Sequence, residues 1–180
     1  MVTPTFFHRR FMPRFLPAIC LLFCLTACDS GEPGGVPQSD YEGSLGEAIV
    51  RHLIRNLPDP APNVPKSYCI VTGKALDSTG MGFAKRFADL KLRFISGDVL
   101  LVTEPDHAVV DPETRLAPYV LQIALIKASG PDAWTADVGW SYKKNFEKHQ
   151  YEVVKKDDRY EVLKTTRLEG NYEPPPPPAR

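Results

Sequence analysis

The chain has 180 residues, with 22 basic against 22 acidic side chains, 43% hydrophobic residues and 18 prolines. That length holds one ordinary domain with a leader and linkers, and the composition lacks the uniform polarity of a disordered protein. The first 27 residues carry three arginines and no acid, leaving 19 basic and 22 acidic groups in residues 28–180; such a mildly acidic body argues against nucleic acid as a partner.

Met1 to Arg14 is a basic start and Phe15 to Leu25 an apolar stretch of 11 residues. Eleven helical residues rise ~16 Å, about half of the ~30 Å hydrocarbon core, so the stretch fits a secretory leader better than a spanning helix. Arg9-Arg10 invites a twin-arginine reading, but Met12 stands where that motif usually has Phe, and a generic basic start accounts for the pair. The run ends in Leu25-Thr26-Ala27-Cys28, followed by Asp29-Ser30-Gly31, and resembles the bacterial lipobox. The resemblance implies that residues 1–27 are a signal peptide and that Cys28 is lipid-modified on sulfur and amine. It would anchor the protein in the cell envelope, facing the periplasm, with the membrane as a partner. Asp29 directly after Cys28 is similar to an inner-membrane retention signal. An ordinary cleavable leader with an incidental cysteine is the alternative. Loss of Cys20 and Cys24 with the leader and acylation of Cys28 leave Cys69 alone, so no intramolecular disulfide is expected.

Residues 28–43, rich in Gly, Pro, Ser and Asp, read as an acylated cysteine and a flexible tether with a reach of ~20 Å. Ser44 and Glu47 have capping-box spacing. Leu45, Ile49, Leu53 and Leu57 then recur at i, i+4, opposite Glu47, Arg51 and Arg55, which predicts an amphipathic helix stopped by Pro58. Tyr68–Thr72 reads as a strand. Phe83, Phe87 and Leu90 suggest a second helix, capped by Asp77 or Ser78 and weakened by Gly80 and Gly82. The period then falls to two. Leu92–Ile95 and Asp98–Thr103 are predicted short strands, and Tyr119–Ala128 is a central strand or a buried helix, with Tyr, Val and Ile favouring strand. A turn at Ser129–Asp132 leads to strict alternation, with Ala136, Val138, Trp140 and Tyr142 on one face and Thr135, Asp137, Gly139, Ser141 and Lys143 on the other. Tyr151–Lys155 and Tyr160–Lys164 form a predicted hairpin across Asp157-Asp158-Arg159. Residues 44–170 therefore predict an α+β domain, with N-terminal helices packed on one face of a curved, mainly antiparallel sheet. The leader, the linker and residues 171–180, with the run Pro174–Pro178, are expected to be disordered; the prolines favour a stiff polyproline II tail.

This order, with the Tyr68–Thr72 strand, Gly73-Lys74, the Phe83/Phe87 helix, the Trp140/Tyr142 strand and the Tyr-rich terminal hairpin, resembles the cystatin-like or nuclear-transport-factor-2-like α+β cone. The likeness covers about residues 44–168 and implies a pocket between sheet and helices. No catalytic motif of that superfamily is matched, so no catalytic residue is assigned. Trp140 and Tyr142 serve either the core or the lining of such a pocket, and they are the first candidates for a ligand site. Glu104-Pro105-Asp106-His107 with Asp111-Pro112-Glu113 gathers four acids round a histidine, yet the spacing is not that of a calcium loop and a solvated surface loop is expected. Cys69 with His107 or His52 could form a thiolate–imidazole pair, but a lone Cys on a strand behaves as a small hydrophobe. His52 sits at the edge of the apolar stripe. No zinc, serine-hydrolase or nucleotide motif is present, and no metal or other cofactor is implied. Residues 98–113 hold five acids and no Lys or Arg, whereas 141–168 hold eight bases and five acids; the basic hairpin could approach anionic headgroups or form a solvated surface. The reading is a membrane-anchored envelope lipoprotein acting as a non-catalytic binding or accessory module, with another envelope protein as its partner. The alternatives are an immunity protein or inhibitor of a toxic enzyme, and a small hydrolase or isomerase.

Overall fold

The structure, a computed structural model, describes residues 38–59, 63–103 and 108–174. The leader, Cys28, the tether to residue 37, the acidic residues Glu104 and Asp106 with His107, and residues 175–180 of the tail lie outside them.

A short helix α1 (Gln38–Tyr41) precedes α2 (Ser44–Arg55). The predicted tether thus gives way to structure at Gln38, because Tyr41 is buried and its hydroxyl accepts a hydrogen bond from the backbone N–H of Ile126 at 3.1 Å. Gly46 allows α1 to meet α2: a Cβ there would lie 1.8 Å from the Tyr41 carbonyl oxygen. The predicted capping box does not form. Gly43 takes the N-cap position without a side-chain bond, and Glu47 instead accepts from Arg51 at 2.9 Å and Arg86 at 2.8 Å. Arg51 also grips Asp89 and lies 5.3 Å over the Phe87 ring. The carboxylate expected to cap a helix therefore ties α2 to the segment beside it.

That segment is not one regular helix. It is an α-helical turn, α3 (Met81–Ala84), continued as a 3₁₀ turn over Lys85–Leu90. Gly80 and Gly82 deny it a propensity of its own, and Phe83 and Phe87, in edge contact at 5.3 Å, hold it by burial.

The strands are β1 (Ser67–Thr72), β2 (Asp77–Ser78), β3 (Arg93–Ile95), β4 (Leu101–Thr103), β5 (Ala108–Val110), β6 (Tyr119–Gly130), β7 (Ala133–Tyr142), β8 (Asn145–Lys156) and β9 (Arg159–Gly170). The main sheet runs β2-β1-β6-β7-β8-β9, with β3 also on β1, while β4 and β5 form a separate pair. The domain is α+β with a curved sheet, as the segregated pattern predicts, but the sheet is mixed. β1 runs parallel to β3 and β6, and β6 to β9 form an antiparallel meander. The long connection from β1 to β6 permits the parallel pairing that a hairpin forbids. β1 is buried along its whole length.

The predicted strand over Asp98–Thr103 is split into a 3₁₀ turn at Gly97–Val99 and β4. β8 and β9 are 12 residues each, more than twice the predicted hairpin. Register shifts in β9 leave Leu163 and Leu168 without cross-strand partners. In β6 a shift at Ala124 turns both Ile123 and Ile126 to the same side. Such bulges bend strands and raise their twist, which curves the sheet.

The concave face receives α2. Leu45, Ile49, Val50 and Leu53 join Leu121, Ile123, Ile126, Val138, Tyr151 and Val153 in one core, with Ile49 and Val50 fully excluded from solvent. Ile49→Ala is expected to lower stability by about 2–5 kcal/mol.

The expected solvated acidic loop is corrected at Asp111. Its side chain is 0% exposed and accepts two hydrogen bonds from Arg93, at 3.1 and 3.3 Å, and one from the Glu113 N–H at 3.0 Å. Burial pushes the Asp111 carboxyl up, but bonds from Arg93, the Glu113 N–H and Thr114 outweigh it and bring the pKa down from 3.8 to about 2. A folded-state pKa below the unfolded value means that this carboxylate stabilises the fold above its ordinary pKa. The contribution is lost as pH falls through about 4 towards 2. Arg93→Met, which strands the buried charge, should cost about 3 kcal/mol at neutral pH. Urea unfolding of wild type and Asp111→Asn at pH 3 and pH 7 checks the linkage: the wild type should lose the more stability on acidification.

Candidate functional site

Trp140 and Tyr142 both point into the concave side and are 3% and 4% exposed. Tyr142 stacks on Tyr119 at 4.6 Å, and Tyr119 on Tyr68 at 5.6 Å, so its ring belongs to an interior aromatic column. Trp140 is different, since its indole N–H reaches a polar cleft and donates to Glu147 Oε2 at 3.2 Å.

The cleft has a volume of about 170 Å³ and lies between the C-terminal half of α2 and strands β7–β9. His52 and Asn56 come from the helix, Trp140 from β7, Glu147, His149 and Tyr151 from β8, and Thr165 from β9. The meander's register assembles it: Trp140 faces Glu147, Val138 faces His149, His149 faces Arg167 and Tyr151 faces Thr165. Cross-strand partners share a sheet face, so the period-two set Glu147, His149, Tyr151 must line the concave side.

Glu147 is the hub. Besides the Trp140 bond it pairs with Arg167 Nε at 3.2 Å and approaches His149 Nε2 at 3.4 Å. Arg167 also donates to the carbonyl oxygens of Gly170 and Tyr172, so one guanidinium fixes both the carboxylate and the chain leaving β9. His149 Nδ1 is buried without a hydrogen-bond partner among the described residues. An unsatisfied buried group of this kind costs about 1–3 kcal/mol.

On the opposite wall His52 meets the Tyr151 ring edge-on at 5.0 Å and lies 3.5 Å from Thr165 Oγ1. Burial, then the nearby Arg55 charge, lowers the His52 pKa below 6.5. Burial also raises that of Tyr151, with Glu147 adding to the effect. Around pH 7 His52 is therefore neutral and Tyr151 protonated. The cleft then presents neutral donors and acceptors beside a charge-balanced Glu147–Arg167 pair.

Cys69 and His52 do not pair, and Cys69 is buried as a small hydrophobe, as expected of a lone cysteine on a strand. Cys69 alternates with Tyr68 and Ile70 and so faces the other side of the sheet, close to Gly97. Burial, with Asp98 nearby, pushes its thiol up to about 11. His107 lies outside the described residues. Among the described residues no group of three or more His, Cys, Asp or Glu side chains is placed to hold a metal. No helix among them is long and apolar enough to cross a membrane.

Sequence reasoning missed Glu147, His149, Thr165 and Arg167. The usable signal was the alternation Glu147, His149, Tyr151, Val153, which continues the inward set of the β8 strand but is half polar. No protein-family model, curated protein or solved structure matches this chain.

By NMR titration the His52 ring should show a pKa below 6.5, and Arg55→Gln should move it up. A depressed histidine pKa stabilises the fold above the unfolded value and loses that contribution as pH falls below it, so His52→Gln should flatten the stability profile between pH 7 and pH 5.

Proposed function

We propose that this chain is a lipid-anchored lipoprotein of the bacterial cell envelope, held through Cys28 and facing the periplasm. Its α+β domain, of the cystatin-like or nuclear-transport-factor-2-like cone type, works as a non-catalytic binding or accessory module. Asp29 favours the inner membrane. The sequence Leu25-Thr26-Ala27-Cys28 and the basic, apolar leader before it support the anchor.

The observation that carries the module reading is where the cleft lies. The chain enters the domain at α1, which is fastened to Ile126 by Tyr41. The cleft lies round Trp140, which faces Leu121 in the sheet. Ile126 is five residue steps from Leu121, ~17 Å along β6. The domain thus meets its tether at one end and offers its polar cleft at the other. The binding reading, as opposed to chemistry, is supported by the groups on offer: a carboxylate already paired with Arg167, a neutral His52 and, among the described residues, a cleft lined by neither serine nor cysteine. Blocking a toxic enzyme, as an immunity protein does, is one form this role could take.

A second reading, a small hydrolase or isomerase, draws on the Glu147–His149 approach at 3.4 Å, the geometry by which a carboxylate orients an imidazole base.

Mass spectrometry of the protein from its natural host should find an N-terminus at residue 28 carrying acyl chains, and Cys28→Ser should abolish partition into detergent. An intact Met1 or an unmodified Cys28 overturns the anchor. Partner capture from envelope extracts should be stoichiometric and lost in Asn56→Arg, which fills the cleft mouth; a catalytic turnover abolished by Glu147→Gln at unchanged stability would favour the second reading instead.

A further inference from the structure

The size and lining of the cleft between α2 and β7–β9 restrict what it can hold. A pocket for a cofactor or a drug-sized molecule runs to about 300–1,000 Å³ and is mostly apolar. This cleft has about 170 Å³ and polar side chains on both walls. At ~30 Å³ for each water molecule, that is the space of about six waters, enough for one small ring with its substituents.

Its charges are settled within the protein. Glu147 is paired with Arg167 and accepts the Trp140 indole N–H, and His52 is neutral around pH 7. An anion would meet the Glu147 carboxylate, and a cation would meet the Arg167 guanidinium and the Arg55 charge that already bears on His52. The ligand that suits such a site is uncharged.

What the walls lack is hydrogen bonds. His149 Nδ1 is buried with no partner among the described residues. Its Nε2 lies 3.4 Å from the Glu147 carboxylate, so the neutral ring holds its proton there and Nδ1 is an acceptor. Thr165 Oγ1 and His52 Nε2 stand 3.5 Å apart, at the outer limit of a hydrogen bond. Asn56 spends one amide N–H on the His52 carbonyl oxygen at 2.8 Å, which leaves its second N–H and its side-chain oxygen without a bond among the described residues. Donors and acceptors with spare capacity therefore stand side by side.

We propose, resting on the module reading of this cleft, that it binds one pyranose ring of an uncharged glycan, whose hydroxyls meet Asn56, His52, Thr165 and His149 and whose C–H face lies on Leu53 and Tyr151. A hydroxyl both donates and accepts, so neighbouring ring hydroxyls serve walls on which the two roles alternate. An extended peptide would need strand partners for its own N–H and C=O groups, and β7 and β8 are already paired on both sides. A ring also arrives with its hydroxyls fixed, and loses less freedom on binding than an open-chain polyol.

The test is an NMR titration of the full-length protein, in a phosphocholine detergent, with the methyl pyranosides of glucose, galactose, mannose and N-acetylglucosamine. The Asn56 side-chain amide and the His52 and His149 rings report on the cleft. At least one pyranoside should move all of these signals with a dissociation constant in about the millimolar range. Thr165→Val, which keeps the shape and removes a hydroxyl, and Asn56→Ala, at the end of the helix, should each weaken binding about fivefold or more while signals elsewhere stay in place. The matching uronate and amino sugar should bind more weakly than the uncharged ring. Cleft signals unmoved by every pyranoside at about 100 mM, equal binding by sorbitol, or tighter binding by the uronate would each overturn the inference. If an envelope protein is still captured in an Asn56-dependent way while no pyranoside binds, the glycan is lost and the module stands. A pyranoside that binds where no protein is captured upholds the glycan and removes the protein partner.

Discussion

The apolar stripe of α2 must be covered, and the curved meander covers it. A 12-residue helix is marginal alone in water, so its formation and the curvature of the sheet depend on one another. The stripe of Leu45, Ile49 and Leu53 lies on Leu121, Ile123, Ile126 and Val138, and the bulge in β6 is what turns both isoleucines inward. Around this contact the polar groups are arranged so as not to disturb it. Glu47, Arg51 and Asp89 tie the outer side of the helix to the Phe83/Phe87 segment, and Tyr41 satisfies a backbone N–H that the bulge region leaves open.

The short span of α2 decides what the concave side presents. The helix ends before it has covered the whole concave side, and where it stops the meander's inward residues turn from apolar to polar. Ile123, Ile126, Ala136 and Val138 give way to Trp140, Glu147, His149 and Arg167. The carboxylate of Glu147 survives there because it pairs with the Arg167 guanidinium and accepts the Trp140 indole N–H. The other face is covered at β1, where Cys69 and Val71 are buried and Gly97 packs close to the Cys69 sulfur, whereas Leu76 and Leu168 are exposed.

Local pattern and tertiary pairing divide the credit for this structure in a consistent way. The α2 stripe, the β7 alternation and the Tyr119 strand were legible because each repeats its signal over enough residues to outweigh the alternatives. Ser44 and Glu47 had the spacing of a cap, but two arginines brought close by folding offered Glu47 a stronger charge-assisted partner. The length of β8 and β9 was hidden because their inward positions include Glu147, His149 and Arg167, and the bulges at Leu163 and Leu168 interrupt what alternation remains. Asp111, in a stretch of acids and prolines, looked solvated until Arg93, 18 residues away, was placed against it.

The sequence by itself determined the class of fold, the helix that would be buried and which face of β7 would be inside, since periodicity and side-chain polarity act locally. Only the tertiary structure decided the parallel placing of β1 and the gathering of His52 with Glu147 and His149. Those relations join residues distant in the chain, and the register of the meander alone sets which side chains meet.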